Sequence, residues 1–234
     1  MVLYSLDMPT LERLAPDLLV TQALCDVCTV AACRLPGHPQ VLNLEPMSLE
    51  DVFTTLLMVG DATGTEAKAE AVMDGLRERV RAVEEATQLI CRQDRLRVAF
   101  IEWIDPIFSG GHWNPTRVER AGGINVLGHA GQPSRTTPWQ QVVESQPDVM
   151  FIACCGFAVE CTLKVIPILR QQPGWCDLPC VREGQVYVTD GNAYFSRPGL
   201  RLVDGLELLA HVLFPSIFPQ FLDVFPVHRV VGRV

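Results

Sequence analysis

The segment 97–123, RVAFIEWIDPIFSGGHWNPTRVERAGG, constrains the fold of this chain more than any other. An apolar run, 98–104, ends abruptly at Asp105-Pro106, and a loop rich in aromatic residues and glycine follows before a helical stretch at 115–123. In α/β proteins this order of strand, wide loop and helix builds half of a ligand cleft, because ligands lie outside the carboxyl ends of the strands. The aromatic side chains of the loop favour a large, flat or apolar ligand.

Composition limits both the size and the partners of the protein. The chain has 234 residues, of which 48% are hydrophobic, and this is enough for one large or two small α/β domains. A net charge of −8 with scattered basic residues argues against nucleic acid as a partner. No apolar run reaches the roughly 18–20 residues of a membrane span, so no membrane insertion is expected. The first residues lack the pattern of a signal peptide, which predicts a cytoplasmic protein, or a periplasmic one if a leader is missing from this sequence.

Predicted strands and helices alternate along most of the chain. The apolar runs predict strands at 17–22, 41–44, 97–104, 124–127, 148–154 and 185–189, with helices at 7–14, 48–59, 114–121, 156–170 and 197–213 and a further helix opened by Thr137-Pro138. A capping-box pattern at Thr63-x-x-Glu66 opens an apolar stripe that predicts one long helix of about 25 residues. The alternation predicts an α/β fold with mainly parallel sheets and right-handed crossovers.

The two halves of the chain share a pattern of helix end, Pro-Asp and strand. It occurs at Pro16-Asp17 and again at Pro147-Asp148. We therefore predict two Rossmann-like lobes joined by one long helix. The predicted organisation is a partial N-terminal lobe at 1–62, a connecting helix at 63–95, a C-terminal lobe at 96–214 and an irregular tail at 215–234.

Candidate ligand contacts follow the predicted strands at their carboxyl ends. The first group is the aromatic loop, where Trp103, Phe108 and Trp113 could line a ligand wall or pack under the loop, and Asp105-Pro106 ends the strand with its backbone exposed to the cleft. The second group follows the last strand, where a tyrosine offers a flat apolar face with a polar tip. Its members are Asn192, Tyr194 and Phe195. Cys25 and Asp26 occupy the equivalent loop of the first lobe and Cys154 to Phe157 that of the second, and tight packing of the turns would explain these residues equally well.

Histidine and cysteine raise the question of a metal. His112 could ligate the cobalt of a corrinoid or the iron of haem, because neutral imidazole suits such metals, but a loop histidine bonded to backbone is the simpler interpretation. The chain has nine cysteines, an odd number, which favours reduced and buried thiols. Cys25-x-x-Cys28 with Cys33 and His38 could bind zinc as an alternative. We predict no resident metal or cofactor.

The order of these motifs resembles that of the helix-hinged substrate-binding proteins of ABC importers, the class that binds cobalamin and ferric siderophores. The resemblance covers about residues 5–214 and includes the paired Pro-Asp strands, the long helix, the 102–115 loop, the segment 120–125 and the segment 190–207. The segment 21–28 looks most like the cobalamin-binding branch. The resemblance implies non-catalytic binding of a corrinoid in a cleft between two lobes, with small lobe motion and an ABC permease as a possible partner.

Two features depart from the family pattern. Members normally begin with a further strand–helix–strand portion, so the N-terminal lobe is expected to be truncated. Members that dock on a permease also present a glutamate on each lobe, whereas the loop at 194–198 has no acid before Arg197. The sequence leaves three alternatives open. The ligand could be a ferric siderophore or haem, the protein could be a thiol- or metal-dependent enzyme acting on a tetrapyrrole, or the chain could be a fragment with an open sheet edge.

Overall fold

The structure is a computed structural model that describes residues 7–21, 39–221 and 226–230. In chain order the elements are α1 (Met8–Leu14), β1 (Leu18–Thr21), β2 (Gln40–Asn43), α2 (Leu49–Ala62), α3 (Glu66–Gln88), β3 (Arg97–Ile104), β4 (Ile107–Ser109), α4 (Asn114–Arg120), β5 (Ile124–Asn125), β6 (Arg135–Thr136), α5 (Trp139–Glu144), β7 (Val149–Ile152), α6 (Val159–Arg170), α7 (Pro179–Arg182), β8 (Val186–Thr189), α8 (Gly191–Tyr194), α9 (Arg201–Leu213) and β9 (Val227–Arg229). The expected α/β class is confirmed.

The chain divides into two compact units. Unit 1 comprises residues 1–46 and 50–75, and unit 2 comprises 47–49 and 76–234. In unit 1, β1 and β2 form a two-stranded parallel sheet in which Leu18 pairs with Gln40 and Thr21 with Asn43. Asp7 caps α1, because its carboxylate accepts a hydrogen bond from the Thr10 amide at 3.1 Å.

The long helix predicted from the apolar stripe is present as α3, but its start differs from the prediction. The Thr63 hydroxyl donates to the Val59 carbonyl at 2.7 Å at the end of α2, and α3 begins only at Glu66. The capping-box assignment at Thr63 was therefore wrong, since its hydroxyl is used by the preceding helix. A similar error affects α5, where Pro138 occupies the cap position and the Thr137 hydroxyl donates to the Arg135 carbonyl.

Unit 2 is built on one mixed sheet with the strand order β6-β4-β3-β7-β8-β9, and β5 pairs with the first residues of β3. The centre of the sheet is parallel, because β3 pairs with β7 and β7 with β8 in that sense. The edges are antiparallel, where β4 returns along β3, β6 pairs with β4, and β9 pairs with β8. The predicted parallel sheet is confirmed at its centre, whereas β4, β6 and β9 were missed.

Both faces of the central strands are buried, which explains why their sequences are continuous apolar runs rather than alternating ones. On one face Phe100 lies 5.5 Å from Phe151 and 5.4 Å from Phe195, measured between ring centroids. On the other face Ile101 and Ile152 belong to a core that includes residues of α6. No helix in the described part of the chain is long and apolar enough to cross a membrane.

Candidate ligand-binding edge

Strands β3, β7 and β8 are parallel and therefore end on the same side of the unit 2 sheet. We call this side the carboxyl edge and define it by residues 103–106, which contain the end of β3, and by the segments after β7 and β8, 153–158 and 190–197. Loops at the carboxyl ends of parallel strands are where α/β folds bind ligands. The site predicted from the sequence therefore corresponds to a real feature of the topology.

An aromatic pair lies at this edge. The Trp103 and Phe157 rings meet edge to face, with centroids 4.9 Å apart and planes inclined at 62°. The Trp103 indole N–H donates to the Asp105 carbonyl at 2.9 Å, which fixes the orientation of the ring. Both side chains are only partly buried. Partial exposure of two fixed aromatic rings provides a preformed apolar surface.

The segment 190–197 is held in place by short-range hydrogen bonds. The Asp190 carboxylate accepts from the Ala193 amide at 2.7 Å and so caps α8. The Ser196 hydroxyl donates to the Gly191 carbonyl at 2.7 Å, and the Arg197 Nε donates to the Asn192 side-chain oxygen at 3.1 Å. These bonds order the loop before any ligand is present.

Gly191 allows the second and third segments to approach closely. A methyl group at this position would overlap the Cys154 carbonyl oxygen and lie 2.7 Å from the Ala153 carbonyl carbon. The Asn192 amide also donates to the Phe157 carbonyl at 3.3 Å. The absence of a side chain at Gly191 therefore permits the contact that brings the two loops together.

Two of the predicted contact residues lie in the interior instead. Trp113 is 4% exposed and Phe195 is 1% exposed. The Trp113 indole N–H donates to the Phe195 carbonyl at 2.8 Å, and the Phe195 ring packs under Phe151 at 5.2 Å. Their assignment to a ligand wall is corrected, because both rings complete the core beneath the edge and present no face to a ligand.

The β3–β4 hairpin explains why part of the aromatic loop leaves the edge. Phe108 lies opposite Trp103 and is half-buried, but the Gly110 amide already donates to the Phe100 carbonyl. Phe100 lies about 13 Å back along β3 from Ile104, four residues at about 3.3 Å each. His112 follows Gly110 in the chain and therefore lies away from the carboxyl edge. Its role as a metal ligand stays a prediction.

The remaining predicted residues divide into two groups. Asp105 and Pro106 form the exposed tip of the hairpin, and Asn192 and Tyr194 are half-buried in the 190–197 loop. Cys25 and Asp26 fall outside the described residues, as do Cys28, Cys33 and His38 of the zinc alternative. Within the described ranges, no group of three or more His, Cys, Asp or Glu side chains is arranged to hold a metal ion.

Two adjacent thiols follow β7. Cys154 is buried, and desolvation raises the pKa of its thiol to about 11. Cys155 is exposed at the residue level, yet partial desolvation of its sulfur raises the pKa of this thiol too, against the opposing hydrogen bond with Ser196. Both groups are therefore protonated at neutral pH, which makes them poor nucleophiles.

Sequence reasoning missed a buried polar cluster beneath the edge. Glu102 is 6% exposed and Arg117 fully buried, and Asn114 bridges them. The sequence places Glu102 in the predicted strand 97–104 and Arg117 in the predicted helix 114–121. Charged residues are almost never fully buried unless they are paired. The spacing of Glu102 and Arg117 in the sequence gave no indication that they belong to one buried cluster.

Two cavities lie away from the carboxyl edge. One of about 510 Å³ opens at the opposite edge, beside Asp148 and Gln185, which precede β7 and β8. Another of about 390 Å³ lies beside β6 and the start of α5.

Comparison with known proteins agrees with this geometry. The family described as periplasmic binding protein matches residues 5–193. The match covers more than half of the sequence, and the chain belongs to this family of binding proteins. A curated relative is an uncharacterized ABC transporter substrate-binding lipoprotein, YvrC, of Bacillus subtilis (strain 168), with 24% identity over 182 residues, or 75% of this chain. The chain spans 54% of the length of that relative.

Solved structures show the same fold at low sequence identity. An ABC transporter substrate-binding protein from Listeria monocytogenes has a TM-score of 0.77 and 15% identity, covering 89% of this chain and 81% of the other. A periplasmic heme binding protein from Pseudomonas aeruginosa has a TM-score of 0.73 and 21% identity, covering 91% and 77%. The vitamin B12 binding protein BtuF of Vibrio cholerae has a TM-score of 0.68 and 15% identity, covering 91% and 79%.

Proposed function

We propose that this protein binds a corrinoid, a cobalamin-like molecule, against the carboxyl edge of unit 2, as the solute-binding component of an ABC transport system. Binding occurs without covalent change to the ligand. The observation that carries the proposal is the fixed, partly exposed pair Trp103 and Phe157 at the point where β3 and β7 end. A corrin ring is large and flat, and it would cover both rings at once.

The polar groups at the edge match a ligand fringed with amides. Asn192 contributes a side-chain amide, and Tyr194 follows it in the same half-buried turn. Amide groups can both donate and accept, so they can pair with carboxamide substituents of either orientation. These few polar groups would orient the ligand, and the aromatic rings would supply most of the apolar contact.

The charges at the edge favour a corrinoid over haem or a ferric siderophore. Three arginines could have served an anionic ligand, namely Arg117, Arg135 and Arg197. Arg117 is fully buried, and Arg135 lies on β6 and donates to the Gln132 side chain at 2.9 Å. Arg197 alone of the three lies at the carboxyl edge, and the exposed carboxylate of Asp105 gives the same edge one opposite charge. Haem propionates or siderophore anions would find little net attraction here.

Family relationship motivates the transport role and the location. The curated relative is named as an ABC transporter substrate-binding lipoprotein, and several structural neighbours are periplasmic. We propose that this protein likewise works outside the cytoplasmic membrane and delivers its ligand to a permease. Haem binding is the second candidate, because the structural neighbours include heme-binding proteins.

Calorimetric titration of the purified protein with cyanocobalamin tests the proposal. We expect saturable binding with one site per chain, and Trp103→Ala is expected to weaken it by about 30-fold, or about 2 kcal/mol, as for a central aromatic contact. Trp139→Ala is the matched control, since Trp139 stacks on Trp175 at 6.1 Å and donates to the Pro173 carbonyl away from the edge.

The same titration with hemin separates the two ligands. If hemin binds with a shift in its absorbance and cyanocobalamin gives no heat, the proposed ligand is haem and not a corrinoid. If neither cyanocobalamin nor hemin binds at tens of micromolar, the proposal is contradicted. Equal losses in the Trp103 and Trp139 variants would place the site elsewhere.

A further inference from the structure

A continuous chain of buried and partly buried hydrogen bonds connects the hairpin side of unit 2 with the 190–197 loop. Glu102 Oε1 accepts from the Gly111 amide at 3.0 Å and from Asn114 Nδ2 at 2.6 Å. The Asn114 side-chain oxygen accepts from Arg117 NH1 at 2.9 Å, and Arg117 NH2 donates to the Tyr194 carbonyl at 3.1 Å. The Ser134 hydroxyl closes the other end by donating to Glu102 Oε2.

Arg117 is the centre of this chain and is costly to bury. Its side chain is fully enclosed, and its Nε has no hydrogen-bond partner among the described residues. Desolvation lowers its pKa to about 9, and Asp204 and Glu102 offset the effect only in part. Replacing a whole buried ionic network with apolar residues is often neutral or stabilising, whereas removing one partner from it is destabilising. Stability of the fold alone therefore gives little reason for an arginine here, and the groups that it contacts suggest a more specific role.

Those groups all belong to the 190–197 loop or support it. The Arg117 guanidinium lies 4.4 Å from the centroid of the Phe195 ring, a cation–π distance, while it donates to the preceding carbonyl. Gly205 of α9 leaves room for it, since a methyl group there would overlap the guanidinium and lie 2.6 Å from the Tyr194 carbonyl oxygen. Arg117 thus fixes both the backbone and the ring at the point where the loop turns into the core.

Resting on the proposed function, we propose that Arg117 is a positioning residue for ligand binding. Held by Glu102 and Asn114, it sets the position of Tyr194 and Asn192 relative to the aromatic pair at the carboxyl edge. It touches the ligand through none of its own atoms. Its removal should loosen the 190–197 loop more than the rest of the sheet and weaken ligand binding through that loop.

Hydrogen exchange of the full chain without ligand tests the positioning role directly. Arg117→Met keeps an unbranched apolar stem but removes the guanidinium, and with it the charge and the hydrogen bonds to Asn114 and the Tyr194 carbonyl. We expect the amides at 192–196 to exchange at least tenfold faster, while those of β7 change only as much as global stability changes. Arg79→Met is the control, because Arg79 also pairs with acids of α9, Asp204 and Glu207, but contacts no residue of the loop.

A second variant and a second measurement keep the outcomes distinct. Arg117→Lys retains the charge and should restore part of the loop protection, and it serves if Arg117→Met does not fold. In cyanocobalamin titrations, Arg117→Met should weaken binding about tenfold and Arg79→Met should leave it unchanged. Exchange at 192–196 that rises no more than in β7 would overturn the positioning role. Absence of binding by the unaltered protein would instead refute the proposed function, and the exchange result would still decide the role of Arg117.

Discussion

Replacement of Gly191 by alanine tests whether close contact between two loops builds the carboxyl edge. The added methyl would overlap the Cys154 carbonyl oxygen and stand 2.8 Å from that of Ala153. Both neighbours are backbone atoms, so no side-chain rotation can relieve the clash. Loops 153–158 and 190–197 must therefore move apart, which stretches the hydrogen bond from the Asn192 amide to the Phe157 carbonyl.

The expected cost follows from overpacking. Inserting a methyl group into a packed region costs about 1–3 kcal/mol, and the rigid neighbours place Gly191→Ala near the middle of that range, at about 2 kcal/mol. For a chain of this size that corresponds to a fall in Tm of about 4–8 °C. Thermal unfolding followed by circular dichroism measures it.

Gly199→Ala provides the matched control in the same region. A methyl group at Gly199 would meet no atom within 4 Å, so this variant should unfold within about 1 °C of the unaltered protein or slightly above it. Equal Tm values for the two variants would refute the reasoning, because they would mean that the two loops do not touch at Gly191.

Three further predictions concern the rest of unit 2. Ile152→Ala, at a side chain with 0% exposure in the central strand β7, should lower the free energy of unfolding by about 3–4 kcal/mol in urea titrations, and a loss under 1 kcal/mol would contradict the assigned core. Arg79→Met should cost about 1 kcal/mol, since its bidentate pair with Glu207 is partly screened at 39% exposure, and the loss should shrink in 1 M salt. The folded pKa of Cys154 lies above that of an unfolded thiol, so this group favours the fold at neutral pH and loses its contribution as the pH rises from about 9 to about 11. Thermal unfolding across that range should show a decline that Cys154→Ser reduces, and identical pH profiles would contradict the burial of this thiol.

The central architecture could be predicted because its signals are local. The apolar run that ends at Asp105-Pro106 predicted β3, and the run that follows Pro147-Asp148 predicted β7, each within a few residues, since strands buried on both faces must be continuously hydrophobic. The spacing of apolar residues likewise gave the long helix, because positions such as Leu76, Val80 and Val83 are buried in it.

The edges of the sheet could not be predicted in the same way. β4 has three residues and pairs with β3 immediately after Asp105-Pro106, and β9 lies in a segment without clear periodicity. Such short strands gain their pairing from the neighbouring strand rather than from their own sequence. The missed hairpin had a direct consequence, because it carries the chain away from the edge before His112.

The candidate site was predicted in position but only partly in composition. The rule that ligands lie at the carboxyl ends of parallel strands predicted Trp103, Asn192 and Tyr194 at that edge, and the structure has all three there, while their contact with a ligand stays a prediction. It could not distinguish them from Trp113 and Phe195, because aromatic residues serve both cores and binding surfaces. That choice depends on which way the chain turns after each strand, and this is a tertiary property.

The central claim is that a corrinoid lies on the carboxyl edge, and hydrogen exchange of the protein with and without saturating cyanocobalamin tests it most directly. We predict slower exchange in 103–106, 153–158 and 190–197, with unchanged exchange in α5 and in residues 212–215 at the opposite edge. Protection confined to other segments, or no protection at saturating ligand, would contradict the claim.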